Sequence, residues 1–167
     1  ARAATEGIGG VQIFDKSLHN RALARLQLES DLHRAIARRE FIAYFQPIIG
    51  MESGHVVGFE ALVRWAHPSR GMVPPSDFIP VAEESGTIGQ IGALVLRQSL
   101  QQLAAWVQHM PELEVFVAVN VSTRQLVDPK FVDHVRDVLR ETGAPARLVK
   151  LEITESAVMS EADTALE

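Results

Sequence analysis

Hydrophobic positions recur along the chain with two periods, and the changes between them mark out the elements. Residues 1–14 are small and Gly-rich and end in Val11-Gln12-Ile13-Phe14. Asp15 or Ser17 can cap a helix running to about Arg39. Its apolar positions, Leu18, Ala22 and Leu26, then Leu28, Leu32 and Ile36, have helical spacing with a shift between the sets. Phe41 to Ile48 and His55 to Trp65 read as strands around the turn Gly50-Met51-Glu52-Ser53-Gly54, which predicts an antiparallel hairpin. Pro68 to Pro75 reads as a loop. Ser76 is then expected to cap a short helix with Pro80 in its first turn. Thr87 and Gln90 match a capping box, opening a helix to about His109 with a stripe of Ile88, Ile91, Val95, Leu96, Leu100, Leu103 and Val107.

The valine-rich run Val115 to Val121, broken only by Asn120, suits a parallel strand covered on both faces. Asp128-Pro129 opens a further helix, with Pro at its first position, and Gly143 closes it. Leu148 to Thr154 is the next strand. Strands alternating with helices predict an α/β fold with a parallel sheet.

One strand departs from its own pattern. In Gly58-Phe59-Glu60-Ala61-Leu62-Val63-Arg64-Trp65, Phe59, Ala61, Val63 and Trp65 share one apolar face. Glu60, Leu62 and Arg64 share the other. Charges in such a strand need partners or a metal. An internal Glu–Arg ion pair, or an edge facing water, is the plain alternative.

Composition narrows the classes. The chain has 167 residues, enough for one ordinary domain, and its 47% apolar and 22% charged residues fit a globular protein. A net charge of -5 argues against DNA or other nucleic acid held on a basic face. Without cysteine there are no disulfides and no thiolate metal sites, and a cytoplasmic location is expected. No apolar run reaches membrane-spanning length, so no direct membrane insertion is expected of this segment. Ala1 is no initiator and the last residues read as a helix stopped in mid-turn, so a fragment of a longer chain is expected.

The chemistry collects where strands turn polar. Val115 to Val119 is followed by Asn120, and Leu148 to Leu151 by Glu152, Ile153, Thr154 and Glu155. In parallel α/β sheets and barrels the carboxyl ends of strands carry the site. Glu60 makes a third such position. Two carboxylates and an amide are hard oxygen ligands suited to Mg²⁺ or Mn²⁺, and Arg64 can make a forked contact to a phosphate. Together they suggest metal-assisted hydrolysis of a phosphate ester. Each residue also has a plain reading. Asn120 can end a strand, Glu152 can pair with Lys150, Glu155 can cap a helix, and Gln46 can satisfy backbone groups. The six histidines show no metal-ligand spacing and read as surface or packing residues, and Trp65 and Trp106 as core.

From about residue 31 to 167 the chain resembles the EAL domain, which hydrolyses the bacterial second messenger cyclic di-GMP. The resemblance rests on Tyr44-Phe45-Gln46-Pro47-Ile48, Glu60-Ala61-Leu62-Val63-Arg64-Trp65, His67-Pro68 with Gly71, and Pro75. It continues through Phe78-Ile79-Pro80, Ala82-Glu83-Glu84, Val119-Asn120-Val121-Ser122, Gln125-Leu126 and Leu151-Glu152-Ile153-Thr154-Glu155-Ser156. Ala1 to about Asp15 is similar, over a short and less specific stretch, to the end of a GGDEF domain. The resulting division is 1–15 as the end of a GGDEF domain, 16–39 as a linker helix, and 40–167 as the N-terminal half of an EAL domain.

The resemblance implies a (β/α)8 TIM-like barrel whose first strand is antiparallel, with only its N-terminal half present. It implies Mg²⁺ or Mn²⁺ held by Glu60, Asn120 and Glu152. Gln46 and Leu62 would line the nucleotide site, Arg64 would meet a phosphate, and Glu155 would steady a catalytic loop beyond the chain. Attack of activated water on one phosphodiester bond would give linear pGpG. The family's Asp pair, its Lys, and its later Glu and Gln fall beyond Glu167, so the 167-residue piece alone is expected to be inactive. The alternatives are an inactive EAL domain acting as a cyclic di-GMP receptor, or a protein-interaction module. Implied partners are cyclic di-GMP, an adjacent GGDEF domain in cis and, since family members often pair, a second copy of the chain.

Overall fold

The structure is a computed structural model describing residues 16–110, 112 and 114–153. Helix α1 spans Lys16–Ala37, followed by strands β1 (Phe41–Ile49), β2 (Val56–His67) and β3 (Gly71–Val73). Helices α2 (Pro75–Ser85) and α3 (Ile88–His109) lead to β4 (Phe116–Val121), α4 (Thr123–Leu126), α5 (Phe131–Thr142) and β5 (Val149–Ile153). The sheet runs β1-β2-β4-β5. β1 lies antiparallel to β2, whereas β2, β4 and β5 are mutually parallel. The α/β class and the antiparallel opening strand expected from the sequence are both present.

The core lies between the helices and one face of this sheet. Phe41, Ala61, Trp65, Val117 and Val119 are buried from the strands, and Phe78, Ile91, Leu96, Leu100 and Leu103 from α2 and α3. These are the apolar faces read from the period-2 and period-3.6 patterns. In α1 the second stripe packs. Leu32 is buried and Leu28 and Ile36 border the core, while Leu26 is 63% exposed.

Local details correct several expectations. Gly71–Val73, read as loop, pairs with Trp65, Ala66 and His67, continuing the edge of β2 beyond its contact with β4. Helix α2 starts two residues earlier than expected, with Pro74 at the cap and Pro75 in its first turn, so Pro80 falls inside the helix and not in its first turn, and Ser76 bonds Asp77 instead of capping. Thr87 makes no capping box, because its own backbone is helical and its hydroxyl turns back to the Ala82 carbonyl, 3.4 Å away. The capping box of this fold is Ser122 with Gln125, at the start of α4. Helix α5 starts at Phe131, after Pro129, and ends as expected at Gly143 (φ 70°), whose N–H donates to Leu139 O at 3.0 Å.

Helix α1 is fastened to the far end of β2 by Asp31, which is 9% exposed. Arg34 donates to Asp31 Oδ1, as does Gln27 at 3.3 Å, and Arg70 donates to Oδ2 at 3.0 Å. His67 Nδ1 accepts the backbone N–H groups of Ser69 and Arg70, each at 3.2 Å. That leaves the ring proton of neutral His67 on Nε2, 3.7 Å from Asp31 Oδ2. His67 is therefore more than the packing residue expected of it. Burial alone would raise the Asp31 pKa. The hydrogen bonds from Arg34 and Gln27, with the charges of Arg34 and Arg70, outweigh it and hold the carboxyl below its ordinary value. A depressed folded-state pKa means that Asp31 stabilises fully above the unfolded pKa, about 4. The contribution is lost as pH falls through the lower folded value. Asp31→Asn should cost about 1–3 kcal/mol at neutral pH. Urea melts of the variant should also lose less stability than wild type below about pH 4. Equal melts of the two proteins at pH 7 would refute the clamp.

Candidate functional site

Strand register carries the candidate residues onto one face. Gln46 is the partner of Glu60, and Tyr44 of Leu62, across the antiparallel pair. Glu60 pairs with Ala118, and Asn120 with Glu152, across the parallel pairs. Because side chains alternate, Gln46, Glu60, Leu62, Arg64, Asn120 and Glu152 all leave the face opposite the helices. Asn120 and Glu152 stand near the carboxyl ends of β4 and β5.

Glu60 and Asn120 touch. Asn120 Nδ2 donates to Glu60 Oε1 at 2.8 Å, a diagonal cross-strand contact. The second Glu60 oxygen and the Asn120 amide oxygen accept no hydrogen bond among the described residues. Glu152, the register partner of Asn120, adds an exposed carboxylate on the same side. The donor set is two carboxylates and one amide, all hard oxygens, and it fits Mg²⁺ or Mn²⁺ in kind. Among the described residues no three His, Asp or Glu side chains cluster tightly enough to hold a metal by themselves.

The two ion pairs named as plain readings, Glu60–Arg64 and Glu152–Lys150, do not form among the described residues. Four residues of strand separate Glu60 from Arg64 by about 13 Å, too far for an ion pair. Arg64 instead donates from Nη1 to the Val63 carbonyl at 2.9 Å and lies over the Tyr44 ring, 5.9 Å from its centroid. Lys150 does not pair with Glu152. Its Nζ sits 3.3 Å from the centroid of the Phe116 ring. Phe116 in turn lies against Gly58, where an added Cβ would come within 2.7 Å of the ring. Trp106 is half-buried between Phe45 and Phe59, with centroids 5.1 and 4.6 Å away. Glu155 and the GGDEF-like residues 1–15 lie outside the described residues.

A cavity of about 350 Å³ opens beside the Glu60–Asn120 pair. Leu62, Ile79, Glu83, Ile88, Ser122 and Gln125 are among its lining residues. The last two carry no role in the sequence pattern. The signal for them is the Ser-x-x-Gln pattern directly after a strand, which is a capping box here and not at Thr87. Gln125 Oε1 accepts from the Ser122 N–H at 3.2 Å and from its hydroxyl at 3.1 Å, which fixes the turn two residues after Asn120. Gly92 of α3 makes room for it: a Cβ there would lie 2.7 Å from Gln125 Cδ and Oε1.

Comparison with known proteins adds the family. The family model described as the EAL domain matches residues 29–167. An uncharacterized signaling protein of Caulobacter vibrioides is 43% identical over 166 residues, covering 99% of this chain and 20% of its own. The bifunctional diguanylate cyclase/cyclic di-GMP phosphodiesterase MucR of Pseudomonas aeruginosa is 38% identical over 165 residues, covering 98% of this chain and 24% of its own. The chain thus spans about a fifth to a quarter of the length of these relatives. Among solved structures, the PaMucR phosphodiesterase in complex with c-di-GMP superposes with a TM-score of 0.75 at 37% identity, over 84% of this chain and 56% of that one. The EAL enzyme Bd1971 with cAMP and cyclic di-GMP bound gives 0.77 at 29% identity, over 88% and 42%.

Proposed function

The chain belongs to the EAL domain family, and from that premise we propose that it supplies the site face of a protein that hydrolyses cyclic di-GMP to linear pGpG. The observation that supports the reading is the strand register that sets Glu60, Asn120 and Glu152 on one sheet face, with Glu60 and Asn120 in direct contact at 2.8 Å. These three residues would hold Mg²⁺ or Mn²⁺. Such an ion, when bound, polarises a phosphoryl oxygen and lowers the pKa of a coordinated water.

The chain's own side chains would do the positioning. Gln46 and Leu62 flank Glu60 on the same face and would line the nucleotide. Arg64, oriented by the Val63 carbonyl and the Tyr44 ring, would meet a phosphate oxygen. Glu155 would steady a loop supplied by the rest of the protein. Residues beyond Glu167 would complete the site, so the 167 residues alone should bind weakly and not turn over. A GGDEF domain preceding this chain, and a cytoplasmic setting, belong to the same proposal. The MucR match extends upstream of residue 29 and supports that order. No helix among the described residues is long and apolar enough to cross a membrane.

The test is to incubate the full-length protein with cyclic di-GMP and Mg²⁺ and to follow linear pGpG by chromatography. Product should form, stop on chelation, and resume with Mg²⁺ or Mn²⁺. Binding without product would assign a receptor, and product formed in chelator would remove the metal from the scheme.

A further inference from the structure

Glu83 is a half-buried carboxylate in the lining of a largely apolar cavity. Pro75, Ile79 and Glu83 recur at four-residue spacing, which puts them on one face of α2, and all three line the cavity beside Glu60 and Asn120. Leu62 and Ile88 add apolar wall. Among the described residues no Lys, Arg or His comes within ion-pairing distance of Glu83, whereas the adjacent Glu84 pairs with Arg25 of α1. Apolar walls suit a flat ring system, and the Glu83 carboxylate at their edge offers two acceptor oxygens to N–H donors.

We infer that Glu83 reads one guanine base of the dinucleotide, accepting N1–H and the N2 amino group on its two carboxylate oxygens while the apolar walls hold the ring. The inference rests on the proposed function for its ligand and adds the specificity determinant. Guanine presents two adjacent donors on its Watson–Crick edge, which match two acceptors. Adenine presents one donor and one acceptor, so its N1 lone pair would face carboxylate oxygen. A glutamine at this position offers one acceptor and one donor, which fits adenine and mismatches guanine.

Affinities for cyclic di-GMP and cyclic di-AMP should be measured by calorimetry on the full-length protein in calcium buffer. The variants to compare with wild type are Glu83→Gln, Glu83→Ala and Glu84→Gln. Wild type should prefer the guanine ligand. Glu83→Gln should cut that preference by about tenfold or more, weakening one ligand and strengthening the other. Glu83→Ala should weaken cyclic di-GMP without gain for cyclic di-AMP, and Glu84→Gln should match wild type. An unchanged preference in both Glu83 variants, with wild type still binding cyclic di-GMP, overturns the assignment and leaves the proposed function standing. Wild type that binds neither nucleotide overturns both.

Discussion

Replacing Glu60 with alanine should lower turnover of cyclic di-GMP by about 10²–10³-fold, since a metal ligand is worth several kcal/mol at a phosphoryl transition state. The effect should be chemical and not structural. Glu60 lies on the face away from the helices, is only half-buried, and makes one hydrogen bond, to Asn120. Its loss frees an exposed amide that water can satisfy, so the melting temperature should move little. Asn120→Ala should act in the same direction, because it removes both a donor oxygen and the contact that orients Glu60. The two losses should not add, since the residues share one hydrogen bond. Steady-state kinetics of the single and double variants, with melts in parallel, would decide it. Turnover of Glu60→Ala within a few-fold of wild type would mean that the convergence of these side chains has been misread.

Trp65→Ala should have the largest effect on stability, about 3–5 kcal/mol. Trp65 is fully buried and is the largest side chain of the core. Its ring meets Phe41 at 5.5 Å, Phe78 at 5.7 Å and His67 at 5.1 Å between centroids, so it joins β1, β2 and α2 in one aromatic cluster. Its Nε1 donates to Glu40 Oε2 at 3.0 Å, so truncation also strips a hydrogen bond from that carboxylate. For a domain with about 5–15 kcal/mol in total, such a loss removes a large share. At about 2–4 °C per kcal/mol the melting temperature should fall by about 6–20 °C. Trp106→Ala should cost less, because that ring is only half-buried. A fall of one or two degrees in Trp65→Ala would show that the cluster can repack without it.

The two variants also separate what each face of β2 does. Residues of odd number pack under the helices and hold the strand in place. Residues of even number carry the chemistry. A one-residue slip of β2 would exchange the two sets, so the core residues fix the register on which the site depends.

Much of this was legible in the chain itself. The alternation around Glu60 showed two unlike faces, because side-chain direction in a strand depends only on position parity. The helical stripe of α3 and the glycine closing α5 were readable for the same local reason. The boundaries failed where two local solutions compete. Thr87 and Ser122 both carry a Gln three residues on, yet Thr87 turns back to Ala82 and only Ser122 caps. Three-residue β3 has too few positions to show a period, and it exists because β2 offers it an edge beyond β4.

What local pattern could not supply is distance. That Glu60 points away from Phe59 and Ala61 follows from its strand alone, but that it shares a face with Asn120 and Glu152 depends on β4 lying between β2 and β5 in one particular register. The cavity, with Glu83 in its lining, likewise arises only when α2 and α3 are laid against the ends of the strands. Period and parity are properties of the backbone and can be read from the residues in order. Neighbours across strands and helices are chosen by which buried faces fit one another, and that choice is made only in the folded chain.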